Sequence, residues 1–202
     1  MKRLGSKPSA SFLSLEKAMN DSDAQVLKND EFVCIKDKYP KAIYHFLLIP
    51  LLKVNGKRLS SVQELLKRDD SLEMLKKMRD LAIRVVNENC GQKRLGAEMS
   101  VGFHSIQSMQ PLHMQIISTD FRSACLKNKK HFNSFTSKYF LHLDDLIEAH
   151  GGENSGGQRV INKFDLDNTT KLKEYLNQDL KCHKCAAKQS NMPTLKKHLE
   201  SH

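Results

Sequence analysis

Residues 112–119 read Leu-His-Met-Gln-Ile-Ile-Ser-Thr, within the longer run VGFHSIQSMQPLHMQIISTDFRSACLKNKKHFNSF at 101–135. Leu112, Met114 and Ile116 alternate with His113 and Gln115, and this period of two predicts a half-buried strand. His113 and Gln115 then leave the same side of that strand. Upstream, His104 and Ser108 sit in a short segment, 102–109, able to fold back beside it. Downstream, Lys127, Lys129 and Lys130 add positive charge. Imidazoles, a hydroxyl and ammonium groups gathered in one stretch suit a phosphate ester better than a carbonyl substrate.

The chain of 202 residues carries a formal net charge of +10, which points to a polyanionic partner, nucleic acid ahead of an anionic membrane surface. No run of eighteen apolar residues occurs, which excludes a transmembrane helix of ordinary length. Residues 1–19 begin basic but lack the apolar core of a secretory signal. The cysteine count is five, an odd number, with one pair at C-x-x-C spacing. That favours metal-binding thiols in a reducing compartment over a disulfide framework.

Outward from the central run, residues 1–10 are expected as a flexible tail. Phe12, Leu13, Leu15 and Met19 predict a short amphipathic helix over 11–20. Strands are expected at 31–35, 43–49 and 99–105, with a turn at Lys38-Tyr39-Pro40. Residues 60–89 carry Leu65, Leu66, Leu72, Leu75, Met78, Leu81, Ala82, Val85 and Val86 at threes and fours. Asp69-Asp70-Ser71 breaks that pattern as a cap and makes two helices. The basic residues between them form a solvated face. A helix is expected over 141–149, a mobile Gly-rich loop over 150–157 and one short strand within 159–166. The resulting class is α+β. Its main domain spans 11–149, and a connecting segment spans 150–178.

Residues 179–202 carry Cys182-x2-Cys185-x12-His198-x3-His202. This is the spacing of a C2H2 zinc finger, in which one hairpin supplies two thiolates and one helical face supplies two imidazoles. Pro193 suits the helix start, and Leu195 with Leu199 supplies a small core. His183, between the cysteines, is left out of the ligand set. Lys184, Lys196 and Lys197 make the module basic, as a phosphate backbone requires.

The LHMQII segment resembles the histidine-triad signature, with Pro111 at the first histidine position and Gln115 at the third. The words GFHSIQSM at 102–109, LKNKKHFNSF at 126–135, KDKYPK at 36–41 and YHFLLIP at 44–50 are similar to the aprataxin family, the DNA deadenylase branch of that superfamily. The resemblance covers roughly residues 11–202. It implies a histidine-triad fold, an antiparallel sheet with flanking helices, followed by the zinc finger. It also implies that His113 attacks the phosphorus of AMP held on a DNA 5′ end, that His104 stabilises charge and protonates the leaving phosphate, and that Ser108 binds phosphate. Lys127 would neutralise developing charge, His45 would support the catalytic histidine, and Asp37 would bind a ribose hydroxyl. The plain alternative for Asp37 is a surface carboxylate paired with Lys38 or Lys41. The implied zinc is structural, with no catalytic metal, and AMP is a product.

The implied partners are DNA with 5′-adenylated breaks or RNA-containing ends, contacted by Lys129, Lys130, Lys184, Lys196 and Lys197. The implied setting is a nuclear monomer in single-strand break repair. Gln115 departs from the hydrolytic pattern, since an amide donates a hydrogen bond but carries no proton to substrate. Two other functions therefore stay open. One is a nucleic-acid-binding protein of this fold with turnover lost. The other is a small-molecule nucleotide hydrolase or transferase.

Overall fold

The computed structural model describes residues 10–93, 95–96, 98–151 and 156–202, with side chains from residue 15 onward. Residues 1–9 of the tail expected at 1–10, the side chains of Phe12 and Leu13 and the centre of the Gly-rich loop lie outside the described residues, and Ala10 opens α1 instead. Among the described residues eight strands form, at Gln25–Lys28 (β1), Phe32–Lys36 (β2), His45–Pro50 (β3), Lys53–Val54 (β4), Lys57–Arg58 (β5), Met99–His104 (β6), Met114–Ser118 (β7) and Phe140–His142 (β8). β4 and β5 make a small hairpin. The other six make one sheet in the order β1-β2-β3-β7-β6-β8, antiparallel throughout. The helices are Ala10–Met19 (α1), Val62–Leu66 (α2), Ser71–Asn89 (α3), Lys129–Thr136 (α4), Leu143–His150 (α5), Gly157–Lys163 (α6), Thr169–Tyr175 (α7) and Met192–Leu199 (α8).

β7 is central, so the strand expected to be half-buried is buried on both faces. Leu112, Met114 and Ile116 face the main core with Phe46, Leu48 and Phe103, under Leu65, Leu66, Leu75, Met78, Ala82, Val85 and Val86 of α2 and α3. Fully burying each such side chain stabilises by about 1.5–3 kcal/mol. On the other face two separate covers form. Leu15 and Met19 of α1 pack on Val33, Ile35, Leu47 and Ile49. Phe132 and Phe135 of α4 join Ile117 and Phe140. Between these covers the register aligns Gln115 with both Leu47 and Gly102, and His45 with Ile117. Gln115 and His45 thus lie on the same sheet face as these covers, 3% and 5% exposed.

The break at residues 69–71 does make two helices. Asp70 occupies the N-cap position without capping, because both its oxygens bind Arg68, at 2.7 Å each. Most of the basic α3 face is paired, Lys77 with Glu31 and Glu73, Arg79 with Asp144 and Arg84 with Glu88. Such exposed pairs contribute little, and they support the reading of a solvated face.

Two expectations fail. The helix expected from residue 141 starts at Leu143, because Phe140–His142 pairs with β6 as β8. The strand expected within 159–166 is the helix α6. Gly157, Val160 and Ile161 are its buried residues, with Phe164 packed on the main core, a three-and-four spacing that belongs to a helix. α6 and α7 both lie within the expected connecting segment and bury Val160, Ile161 and Leu172. β1, the β4–β5 hairpin, α4 and α7 were not anticipated.

Gly157 lets α6 sit directly on the end of α2, since a Cβ there would fall 1.5 Å from the Leu66 carbonyl oxygen. Gly157→Ala is expected to destabilise the protein by about 1–3 kcal/mol, the usual cost of overpacking. Chemical denaturation checks this, and an unchanged midpoint would contradict the contact.

Candidate active site and zinc module

His113 lies just ahead of β7, after the cis peptide Gln110–Pro111, and is 2% exposed. Its Nδ1 is 2.9 Å from the Pro111 carbonyl oxygen. A carbonyl only accepts, so Nδ1 carries the proton and Nε2 keeps its lone pair. Pro111 supplies the backbone oxygen at the first histidine position, and that contact needs no imidazole. Burial holds the His113 pKa below its ordinary value, partly offset by the Pro111 bond and by Asp37. The imidazole is therefore neutral at pH 7, as a nucleophile requires.

His104, at the end of β6, packs its ring against Phe135, Tyr139 and Phe140, with centroids 4.8, 5.6 and 6.1 Å away. Burial, and then His113, His45 and Lys41, push its pKa down to about 3. Its Nε2 is buried and has no partner among the described residues. At neutral pH His104 is a neutral ring with unmet hydrogen-bonding capacity. The loop that follows is pinned by Tyr139, whose hydroxyl donates to the Ile106 carbonyl at 2.8 Å. Gln107 donates to the carbonyls of His104 and His113 at 3.4 and 3.3 Å. Ser108 is exposed on the same loop.

His45 does not pair with His113. Its Nε2 lies 2.6 Å from Gln115 Oε1, and its Nδ1 accepts the Lys41 N–H at 3.1 Å. Phe135 stands edge-on over it at 5.5 Å. Asp37 is paired with neither Lys38 nor Lys41 among the described residues. Its Oδ1 accepts the Tyr39 N–H at 2.6 Å, and its Oδ2 lies 3.6 Å from His45 Nδ1. It stays partly exposed at the rim, free to accept further hydrogen bonds. Sequence reasoning missed Lys41, Gln107, Phe135 and His131. Lys41 perturbs His45, His104 and His131 electrostatically, and His131 accepts the Lys127 N–H at 3.2 Å. All four lie within words that carry the resemblance, Lys41 in KDKYPK, Gln107 in GFHSIQSM, and His131 and Phe135 in LKNKKHFNSF.

Burial makes the histidine cluster acid-sensitive. Unfolded imidazoles protonate near pH 6.5, whereas folded His104 resists until about 3. As pH falls below 6.5 the unfolded chain binds protons that the folded chain refuses, so stability present above that pH is lost. The Tm is expected to drop between pH 7.5 and 5. His104→Phe, which keeps a ring on Phe135, should flatten the drop, and an identical drop would contradict this origin.

Cys182, Cys185, His198 and His202 place one donor atom each within 4.8 Å of one another. Cys185 Sγ to His198 Nε2 and His198 Nε2 to His202 Nε2 both measure 3.2 Å. Bonds of about 2.0–2.3 Å to a tetrahedral zinc require edges of about this length. The set fits one structural zinc. α8 starts on a capping box between Asn191 and Thr194, with proline in its first turn. His183 is outside the donor set, and its ring packs on Phe121 and Phe132 at 5.0 and 5.9 Å. Cys182, Leu195 and Leu199 join the same hydrophobic cluster as Phe132 and Phe135, so the finger and α4 share one core. Among the basic residues, Lys129 donates to Asn177 O, Lys184 to His202 O and Lys196 to Ser123 O. Lys130 and Lys197 are exposed.

Two family models match, the "Scavenger mRNA decapping enzyme C-term binding" model over residues 13–131 and the "C2HE / C2H2 / C2HC zinc-binding finger" model over 136–202. The finger model begins well before the first ligand, in line with the shared core. The chain is 38% identical to aprataxin of Danio rerio, over 93% of this chain and 52% of that protein. It is 30% identical to an aprataxin-like protein of Saccharomyces cerevisiae, over 94% of this chain and 91% of the relative. It therefore spans about half the length of the vertebrate relatives and nearly all of the yeast one. A crystal structure of aprataxin ortholog Hnt3 in complex with DNA superposes with a TM-score of 0.67 at 24% identity, over 94% of this chain and 90% of that one.

Proposed function

The chain belongs to the aprataxin family of histidine-triad proteins, and on that footing we propose that it is a DNA 5′-adenylate hydrolase. Its substrate is a strand break whose 5′ phosphate carries AMP through a pyrophosphate bond, as abortive ligation leaves it. His113 Nε2 attacks the AMP phosphorus, and the bond to the 5′-phosphate oxygen breaks. His104 donates to the departing phosphate. Water then displaces His113 from phosphorus, releasing AMP and restoring the neutral ring. Asp37 at the rim accepts from ribose hydroxyls, and the loop carrying Ser108 and the Lys127 region contacts phosphate. The zinc, held by Cys182, Cys185, His198 and His202, keeps the finger folded, and Lys130 and Lys197 offer charge to the DNA backbone. Action on nuclear strand breaks, by a monomer, completes the reading.

The observation that carries it is the buried neutral His113, pinned through Nδ1 to Pro111 O with Nε2 left as the attacking atom. A second reading is favoured by Gln115, which cannot exchange protons, namely a chain that acquires AMP once and releases it slowly. Incubation with a nicked duplex bearing a 5′-adenylate tests both. Many turnovers to 5′-phosphate support the hydrolase, and a single turnover supports the slow release. No conversion, with DNA still bound, overturns the enzymatic reading.

A further inference from the structure

Gln115 stands where the sequence pattern places a third histidine, and the usefulness of an amide there depends on which way it faces. Three contacts settle the direction. The Lys41 backbone N–H points at His45 Nδ1 from 3.1 Å. A backbone N–H only donates, so Nδ1 is the acceptor and the ring proton lies on Nε2. His45 Nε2 is 2.6 Å from Gln115, so it donates there, and the atom it meets must be the carbonyl oxygen Oε1. Reversing the amide would put its N–H2 against Nε2–H, and moving the proton to Nδ1 would set it against the Lys41 N–H. Each change leaves two donors facing in a buried site, a costly arrangement. The main chain at Lys41 therefore dictates the orientation of Gln115 through one imidazole.

With Oε1 occupied, the Gln115 amide nitrogen takes no protein acceptor among the described residues. It projects from the sheet face that carries His113 two residues earlier, and opposite Gly102 in the register. A Cβ at position 102 would lie 2.1 Å from the Leu141 carbonyl oxygen and 2.9 Å from the Phe140 ring, so β8 packs against Gly102 there and only glycine fits.

We propose that His45 is a positioning residue, which locks the Gln115 amide with its N–H2 toward the phosphoryl group on His113. Resting on the hydrolase reading, this makes Gln115 a fixed neutral donor to the non-bridging oxygens, in the role of the absent histidine. The donor is always present, because no proton has to be acquired first. Among the charged and titratable groups around His45, Asp37 favours its protonated form while Lys41 and His113 oppose it. His104, also nearby, is itself held neutral. A second proton could enter only at Nδ1, 3.6 Å from Asp37, at the expense of the Lys41 N–H bond, and would leave the Nε2–H to Gln115 bond in place.

The test joins spectroscopy to kinetics on the full chain with zinc bound. A long-range proton–nitrogen-15 correlation at pH 7, without substrate, is expected to show His45 as the Nε2–H tautomer. His45→Phe should slow AMP release by about 10–100-fold, in line with loss of an orienting partner. His45→Gln, which can return an N–H near the former Nε2, should recover most of that loss. Gln115→Glu keeps the acceptor but removes the donor, and should fall about 100-fold or more. A His45 proton on Nδ1 overturns the proposal, as does a Gln115→Glu variant with near-normal rates or a His45→Gln variant no better than His45→Phe. Failure of the hydrolase reading looks different, since the expected tautomer would then accompany a chain that leaves adenylated DNA intact.

Discussion

His113→Ala is expected to abolish release of AMP from adenylated DNA, by at least about 10⁴-fold, because removing a nucleophile removes the covalent route altogether. Its neighbours cannot take its place. His104 ends β6 and His45 is committed to Lys41 and Gln115, so neither presents a lone pair fixed by a backbone bond as His113 Nε2 is. The ring is 2% exposed, and its loss leaves a small polar-lined space, so the fold should persist. Rapid-quench kinetics, with a thermal melt beside them, check both halves. Activity within tenfold of the parent chain, or a variant that no longer folds, would count against the assignment. Binding to unmodified nicked duplex should be unchanged, since the lysines proposed to meet DNA are separate from His113.

Stripping the zinc, or replacing Cys182 by serine, is expected to cost the catalytic domain as well as the finger. Finger-type zinc sites contribute about 10–16 kcal/mol of apparent binding energy at pH 7, and small modules of this kind unfold without it. Here Cys182, Leu195 and Leu199 lie in one cluster with Phe121, Phe132, Phe135 and Phe140. Phe135 in turn packs on His45 and His104. Unfolding α8 would therefore uncover the far side of α4 and loosen the wall over both histidines. A chelator is expected to lower the Tm by many degrees and to cut turnover at least tenfold, even on a short adenylated substrate that needs little DNA contact. Near-full activity of the metal-free chain on such a substrate would show the two parts to be independent.

The elements that carry the candidate site were legible because they are written locally. The alternation at 112–116 marks a strand and the four ligands at 182–202 come together at one point, although β7 is buried on both faces rather than half-buried. Burial and partnering were not legible. Nothing in the sequence says that Gln115 would be held by His45, since those residues meet only through the pairing of β3 with β7. α6 reads as a strand in the sequence because a short apolar run fits either period until its neighbours are known, and Val160 and Ile161 are buried in the main core where α6 meets α2, nearly a hundred residues away. The shared core of finger and α4 was hidden for the same reason, because the Leu195–Leu199 pair looks self-sufficient when read alone. Pro111 illustrates the converse, a departure from pattern that keeps the contact to His113 because that contact comes from its carbonyl.

The central claim is a covalent nucleotide on His113, and the most direct measurement is intact mass of the protein quenched under alkaline denaturing conditions within a single turnover. Alkali is chosen because a phosphorus–nitrogen bond is labile in acid. The account predicts a transient AMP-sized addition that maps to the peptide containing His113 and is absent from His113→Ala. AMP released at full rate with no adduct at any time, or an adduct on another residue, would contradict it.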